Sequence, residues 1–215
     1  MVKYYESKTI FHYTWDQVVQ GFWKRYPNPE SKHVLSEDTI HREVKGNQLF
    51  SIRLLTKTNR VPKWGERFIG SPIVKIIEES VIDPEKRILT TYTRNLGYTK
   101  VMSLVEKVVY RPSEENPSWT VAERSAWVDS HVLGFGRAIQ AFGVERFRKN
   151  CVKMVHGFNY VLSTMFPSAV STHHSTTAQP TSTTAKEKLK GAAKKASDLA
   201  KSKAGSLYIS CEPTA

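Results

Sequence analysis

Polar and apolar residues alternate over residues 2–11, the period of a strand with one face on a core. Thr14 then precedes Trp15, Val18, Val19, Phe22 and Trp23, whose helical spacing predicts a short amphipathic helix capped by the threonine hydroxyl. Pro27-Asn28-Pro29 must end it, because a residue before proline is pushed out of the helical region. Six segments rich in Val, Ile, Thr, Tyr and Trp follow, at about 38–45, 48–58, 72–83, 87–96, 101–111 and 118–131. Gly46-Asn47 and Asp83-Pro84-Glu85 are hairpin signals, so the strands are expected to be mostly antiparallel. From about Leu133 to Met165 helical spacing returns, with Phe135, Ala138, Ile139, Phe142, Phe147, Cys151, Val155, Phe158, Leu162 and Met165 on one apolar stripe. Gly134-Phe135-Gly136 reads as the turn that leads into it, since neither a third glycine nor a βαβ context follows.

One strand, one helix, six strands and a long final helix predict an α+β fold: a concave seven-stranded antiparallel sheet wrapped on a long C-terminal helix. The cleft between such a sheet and helix suits an apolar ligand, so the architecture already leans towards a lipid pocket.

Composition changes after Phe166. Residues 167–185 are mostly Ser, Thr, His, Ala and Pro, with no charge and few large apolar residues, which predicts a flexible Ser/Thr-rich linker. Residues 186–215 form a Lys/Ala-rich tail in which Leu189, Ala192, Ala193, Ala196, Leu199 and Ala200 keep helical spacing. A fraying soluble helix and a weak contact with an anionic membrane are both open to it. Residues 1–166 make the folded domain.

The chain holds 32 Lys and Arg against 20 Asp and Glu, a formal charge of +12. The tail accounts for only part of it, seven Lys against three acids, so the domain itself is basic. An anionic partner is implied, and nucleic acid, a membrane surface and an acidic ligand all remain open on charge alone. No apolar run approaches the roughly 18 residues needed to span a bilayer. The N-terminus lacks a signal-peptide apolar region and reads as part of the fold. Two cysteines, Cys151 and Cys211, rule out a disulfide framework or a Cys-rich zinc site.

Enzymatic signals are poor. Glu78 and Glu79 are neighbours on a predicted strand and face opposite sides, so they cannot act as a catalytic pair. His173-His174 falls in the linker without acidic or Cys companions, and no Ser/His/Asp grouping is visible. The reading is a non-enzyme, with no metal and no cofactor.

The cations carry more information. Arg53 and Lys57 share a strand face with Leu55, and Arg146, Asn150 and Lys153 fall at i, i+4 and i+7 on the terminal helix. Each row by itself is an ordinary solvated face; together they suggest one site that holds a phosphate against a hydrophobic wall. The loop from Arg60 to Gly70 is either a packed connector or a lid that meets a membrane through Val61, Lys63, Trp64, Arg67 and Phe68. A basic nucleic-acid-binding module is the rival reading. Basic residues interleaved with apolar ones, and no RNP-like or zinc-finger motif, speak against it.

The run Arg25-Tyr26-Pro27-Asn28-Pro29-Glu30-Ser31-Lys32-His33-Val34-Leu35 resembles the hallmark segment of the PRELI-like family. Arg53-Leu54-Leu55-Thr56-Lys57, Pro62-Lys63-Trp64 and Thr91-Tyr92-Thr93-Arg94-Asn95 support the likeness, which spans Met1 to about Met165. Glu30 departs from the pattern, an acid where an aromatic is commoner. The His33-Val34-Leu35 continuation and the Lys/Ala tail are similar to the phosphatidic-acid branch. The resemblance implies a protein of the mitochondrial intermembrane space that shuttles phosphatidic acid between outer and inner membranes and supports cardiolipin synthesis. It implies a lipid pocket whose head-group residues fall on Arg25, His33, Arg53, Lys57, Arg60, Arg146, Asn150 and Lys153, with a lid over roughly Arg60–Ser71. It also implies peripheral contact with anionic membranes and a heterodimer with a small helical partner carrying twin Cys-x9-Cys motifs.

Overall fold

The computed structural model describes residues 2–59, 63 and 70–167. In chain order these form β1 (Lys3–Phe11), α1 (Trp15–Trp23), a 3-10 turn (Pro29–Ser31), β2 (Val34–Lys45), β3 (Gln48–Thr58), β4 (Ile73–Asp83), β5 (Ile88–Asn95), β6 (Ser103–Pro112), β7 (Thr120–Asp129) and α2 (Gly136–Met165). The seven strands make one antiparallel sheet in the order β1-β7-β6-β5-β4-β3-β2. The first strand thus returns to pair with the last, and α2 packs over the concave face together with α1. The α+β fold expected from the pattern is the fold observed.

Local chemistry accounts for most boundaries. Thr14 Oγ1 accepts from the Gln17 amide at 3.4 Å while Gln17 Oε1 accepts from the Thr14 amide at 3.0 Å, a reciprocal cap on α1. Gly46 takes a positive φ of 59° in the β2–β3 turn, where a Cβ would be strained. In the β4–β5 turn Asp83 Oδ1 accepts from the Lys86 amide at 3.0 Å. β2 begins at Val34, earlier than the pattern indicates, because register shifts fall between Val34 and Ser36 and between Thr39 and His41. Leu35 and Ile40, left over at these bulges, are exposed and break the alternation.

α2 starts at Gly136, after Gly134 with its φ of 76°, rather than at Leu133. Phe135 and Ala138, expected on its buried stripe, are exposed. Gln140 turns inward instead and donates from Nε2 to Asp129 Oδ1 at 2.9 Å, which places Ala138, almost opposite on the helix, outward.

The register sets the chemistry of the concave face. Leu49, Ile82, Leu89, Tyr110, Ala122 and Thr9 form one cross-strand rung, and its apolar members belong to or pack on a core shared with Phe11, Trp15, Val18, Phe22, Phe158 and Leu162. The next inward rung reads Ser51, Ser80, Thr91, Val108, Arg124, Ser7, and the one after it Arg53, Glu78, Thr93, Glu106, Ala126, Tyr5. A polar belt therefore crosses the middle of a face that is otherwise apolar.

Candidate functional site

Arg25 enters this belt from the segment after α1. Asn28 positions it: its Oδ1 accepts from the Glu30 amide at 3.0 Å, capping the 3-10 turn, and its Nδ2 donates to the Arg25 carbonyl at 2.6 Å. Gly157 of α2 lies so close to Asn28 that a Cβ there would collide with the amide. Glu30 itself is exposed and contributes its backbone amide to this arrangement.

Arg25 is 7% exposed and donates from Nη2 to Glu78 Oε2. Arg53, 2% exposed, donates to the other oxygen of Glu78 and, through Nη1, to Glu37. Both guanidinium groups lie on the Phe22 ring, at 4.6 Å from Arg25 and 4.3 Å from Arg53. A third buried pair sits two strands away, where Arg124 Nε donates to Glu106 Oε1 at 2.6 Å. Three arginines and three glutamates thus leave the floor formally neutral. Burial alone would raise the Glu78 carboxyl, but the charges of Arg25 and Arg53 hold it below the usual range. Glu37, with less cationic company, is pushed up by desolvation despite Arg53.

Two adjoining cavities of about 10 and 30 Å³ lie over the belt, each little larger than a water molecule. Arg25, Tyr26, Tyr110, Arg124 and Met154 line both. One continues along apolar Phe11, Val155 and Phe158, the other along Leu55, Lys57, Glu78, Thr91, Thr93 and Glu106. The Nε of Arg25 is buried and has no hydrogen-bond partner, an expensive state unless something else accepts from it.

The positive charge gathers outside this floor. Burial lowers the His33 imidazole, and Lys57, Arg146 and Lys153 lower it further, which puts these three cations around one histidine. Lys57 of β3 and Arg146 and Lys153 of α2 thus all act on His33. Arg146 is half-buried; Asn150 and Lys153 are exposed, and none of these α2 residues lines the two cavities. Arg53, expected as a head-group contact, is bound to two carboxylates and lines neither cavity. Arg60, Val61, Trp64, Arg67 and Phe68 lie outside the described residues, as do the linker beyond Pro167 and the whole tail; Lys63 is exposed.

Sequence reasoning missed Glu37, Glu78, Glu106, Arg124 and Tyr110 as parts of the site. The available signal was parity, because each charged residue of β4, β6 and β7 in the belt stands in phase with inward apolar neighbours. Glu78 and Glu79 do face opposite sides; Glu79 pairs outside with Arg94 at 3.1 Å. Among the described residues no three His, Cys, Asp or Glu side chains gather as metal ligands.

Fold and site together define a sheet-and-helix cleft protein with a buried arginine–glutamate floor and a cationic mouth. The chain belongs to the PRELI-like family, whose model matches residues 16–168. It is 49% identical over 169 residues to the PRELI domain-containing protein 1, mitochondrial, of Gallus gallus, covering 77% of this chain and 79% of that protein. It is 34% identical over 165 residues to Protein UPS1, mitochondrial, of Saccharomyces cerevisiae, covering 75% of this chain and 94% of that one. Among solved structures, TTHA0849 from Thermus thermophilus shares the fold at a TM-score of 0.51 and 13% identity, over 76% of this chain and 99% of that one.

Proposed function

We propose that this protein is a non-enzymatic carrier that moves phosphatidic acid between the outer and inner mitochondrial membranes through the intermembrane space, as a supply for cardiolipin synthesis. The family is one of lipid-transfer proteins, and the relatives named above are mitochondrial. The observation that carries the reading is Arg25: a buried guanidinium with an unpartnered Nε, lining two cavities that run from polar belt to apolar wall.

Moving two acyl chains through water costs roughly 0.8 kcal/mol per methylene, on the order of 20 kcal/mol for some thirty of them. A cleft that never exposes the chains removes that barrier. The cations of the mouth, Lys57, Arg146 and Lys153 around His33, with Asn150 and Arg60, draw the anionic lipid in; Arg25 receives the phosphate. Arg53 serves by holding Glu78 and Phe22, and so Arg25, in place. The cavities are too small for acyl chains, so loading requires side chains such as Met154 to swing aside and α2 to part from the sheet.

In this reading the protein docks peripherally on anionic membranes, with Val61, Lys63, Trp64, Arg67 and Phe68 as the contact, and pairs with a small helical twin Cys-x9-Cys protein. The test is mass spectrometry of lipid co-purifying with the protein, followed by transfer of labelled phosphatidic acid between liposomes. Phosphatidic acid in both supports the carrier; nucleic acid without phospholipid overturns it.

A further inference from the structure

Arg124 is buried, 5% exposed, in the middle of β7, with Val108 and Ser7 as its cross-strand neighbours. Replacing a buried ion pair by apolar residues of similar volume is often neutral or stabilising, so the Arg124–Glu106 pair is not explained by stability. Two further observations give it a task. Arg124 lines both cavities, as Arg25 does, although the two reach the cleft from different elements, one from the sheet and one from the covering segment. Both also lie near enough to the buried Tyr110 phenol to favour its ionised form, though burial outweighs them and keeps the O–H in place as a donor.

The donors are incompletely used. Glu106 takes Nε of Arg124 and the Cys151 sulfur accepts a further hydrogen bond from its guanidinium, which still leaves N–H groups over from the five. Glu78 takes Nη2 of Arg25, and its Nε has no partner. Two guanidinium groups and one phenol thus border the same small volume, and both guanidinium groups keep N–H groups to spare.

A phosphate monoester offers three unesterified oxygens and up to two charges. A diester offers two such oxygens and one charge, and its second substituent has to be placed somewhere. Two arginines entering from two elements match the first case in charge, and cavities of about 10 and 30 Å³ walled by Tyr110 and the belt leave little room for a second substituent.

We propose that Arg124 is the second anion-binding residue of the cleft, that it grips a phosphate monoester jointly with Arg25, and that it separates monoesters from diesters. This rests on the carrier reading above. Loss of Arg124 therefore changes selectivity, not only uptake, which a purely structural residue would not do.

The experiment uses the full chain in two forms, wild type and Glu106→Gln/Arg124→Gln, a pair that keeps the cluster neutral. Each is mixed with phosphatidylcholine liposomes carrying either labelled phosphatidic acid or labelled phosphatidylglycerol, and the extracted lipid is measured. A charge-assisted hydrogen bond lost from the monoester lowers the monoester-to-diester ratio about tenfold. A folded double variant with the wild-type ratio overturns the inference and leaves the carrier reading standing. Wild-type protein that extracts neither lipid overturns the carrier reading and this inference with it. Where the double variant does not fold, the arginine side-chain NMR signals of wild type decide, assigned with Arg124→Lys and titrated with short-chain phosphatidic acid. Movement of both the Arg25 and Arg124 Nε–H signals supports the grip, and an unmoved Arg124 signal overturns it.

Discussion

Arg25 and Glu78 stand 53 residues apart in the chain and meet as a buried ion pair under α2. The same carboxylate holds Arg53, so one glutamate from β4 fixes both the arginine that faces the cleft and the one that supports it. Charge on the cleft floor is therefore arranged in pairs, and Lys57, Arg146 and Lys153 lie outside those pairs, acting on His33.

Arg25→Lys is expected to fold, because the charge opposite Glu78 is kept, and to lose at least tenfold in phosphatidic-acid extraction. A lysine has no Nε donor and no planar fork with which to grip phosphate. Liposome transfer alongside a thermal melt checks this. A folded variant with wild-type transfer would remove Arg25 from the head-group site.

Glu78→Gln should destabilise the protein by about 3–5 kcal/mol, since Arg25 and Arg53 would then share a low-dielectric site without their common counter-ion. Denaturant titration measures it. Because the folded carboxyl titrates below its ordinary value, its stabilisation is present above the unfolded value of about 4.3 and is lost as pH falls through the folded one. The variant should therefore unfold with less pH dependence than wild type in strong acid.

His33 gives a second pH signature. Its folded pKa is lowered, so in the window just below about 6.5 the unfolded chain binds more protons and stability rises with pH. His33→Asn should flatten that slope without altering stability above neutrality. Its side chain is only partly desolvated and stays open to solvent, so the change is modest and is best followed as a difference in midpoint across a pH series. Equal slopes for the two proteins would mean that neither desolvation nor Lys57, Arg146 and Lys153 lowers this imidazole.

Gly157→Ala tests the support beneath Arg25. Alanine favours the helix by just under about 1 kcal/mol, yet its Cβ would strike the Asn28 amide, which two hydrogen bonds hold in place. Overpacking of about 1–3 kcal/mol should prevail, with loss of lipid extraction as Asn28 releases the Arg25 carbonyl. A more stable variant with normal extraction would show that Asn28 yields freely.

Docking on an anionic bilayer gains about 1 kcal/mol per nearby Lys or Arg, and salt screens it. A carrier must also leave, so transfer should pass through a maximum as anionic lipid content rises, and the maximum should move to higher content in higher salt. A grid of both variables with fluorescent phosphatidic acid shows this directly. A rate indifferent to both would assign the basic surface to another partner.

The strands, both helices and their order were legible in the sequence because each buries one face, and burial of one face writes a period into the residues: alternation in β3 and β4, helical spacing in α1 and α2. Arg25 and the basic rows on β3 and α2 were legible too, the first through the hallmark segment and the rows through spacing. Tertiary structure alone decided which cations are paired. Arg53 and Lys57 occupy the same strand face two positions either side of Leu55, yet the register sets Arg53 opposite Glu78 and Lys57 opposite Val74. The first is neutralised in the interior, while the second stays at the cavity wall without such a partner in register. Register between strands depends on turns, bulges and long-range pairing, none of which the local pattern of a single strand contains, so the Arg124–Glu106 pair exists only once β6 and β7 have paired, and the Arg25–Glu78–Arg53 cluster only once β3, β4 and the segment after α1 have met.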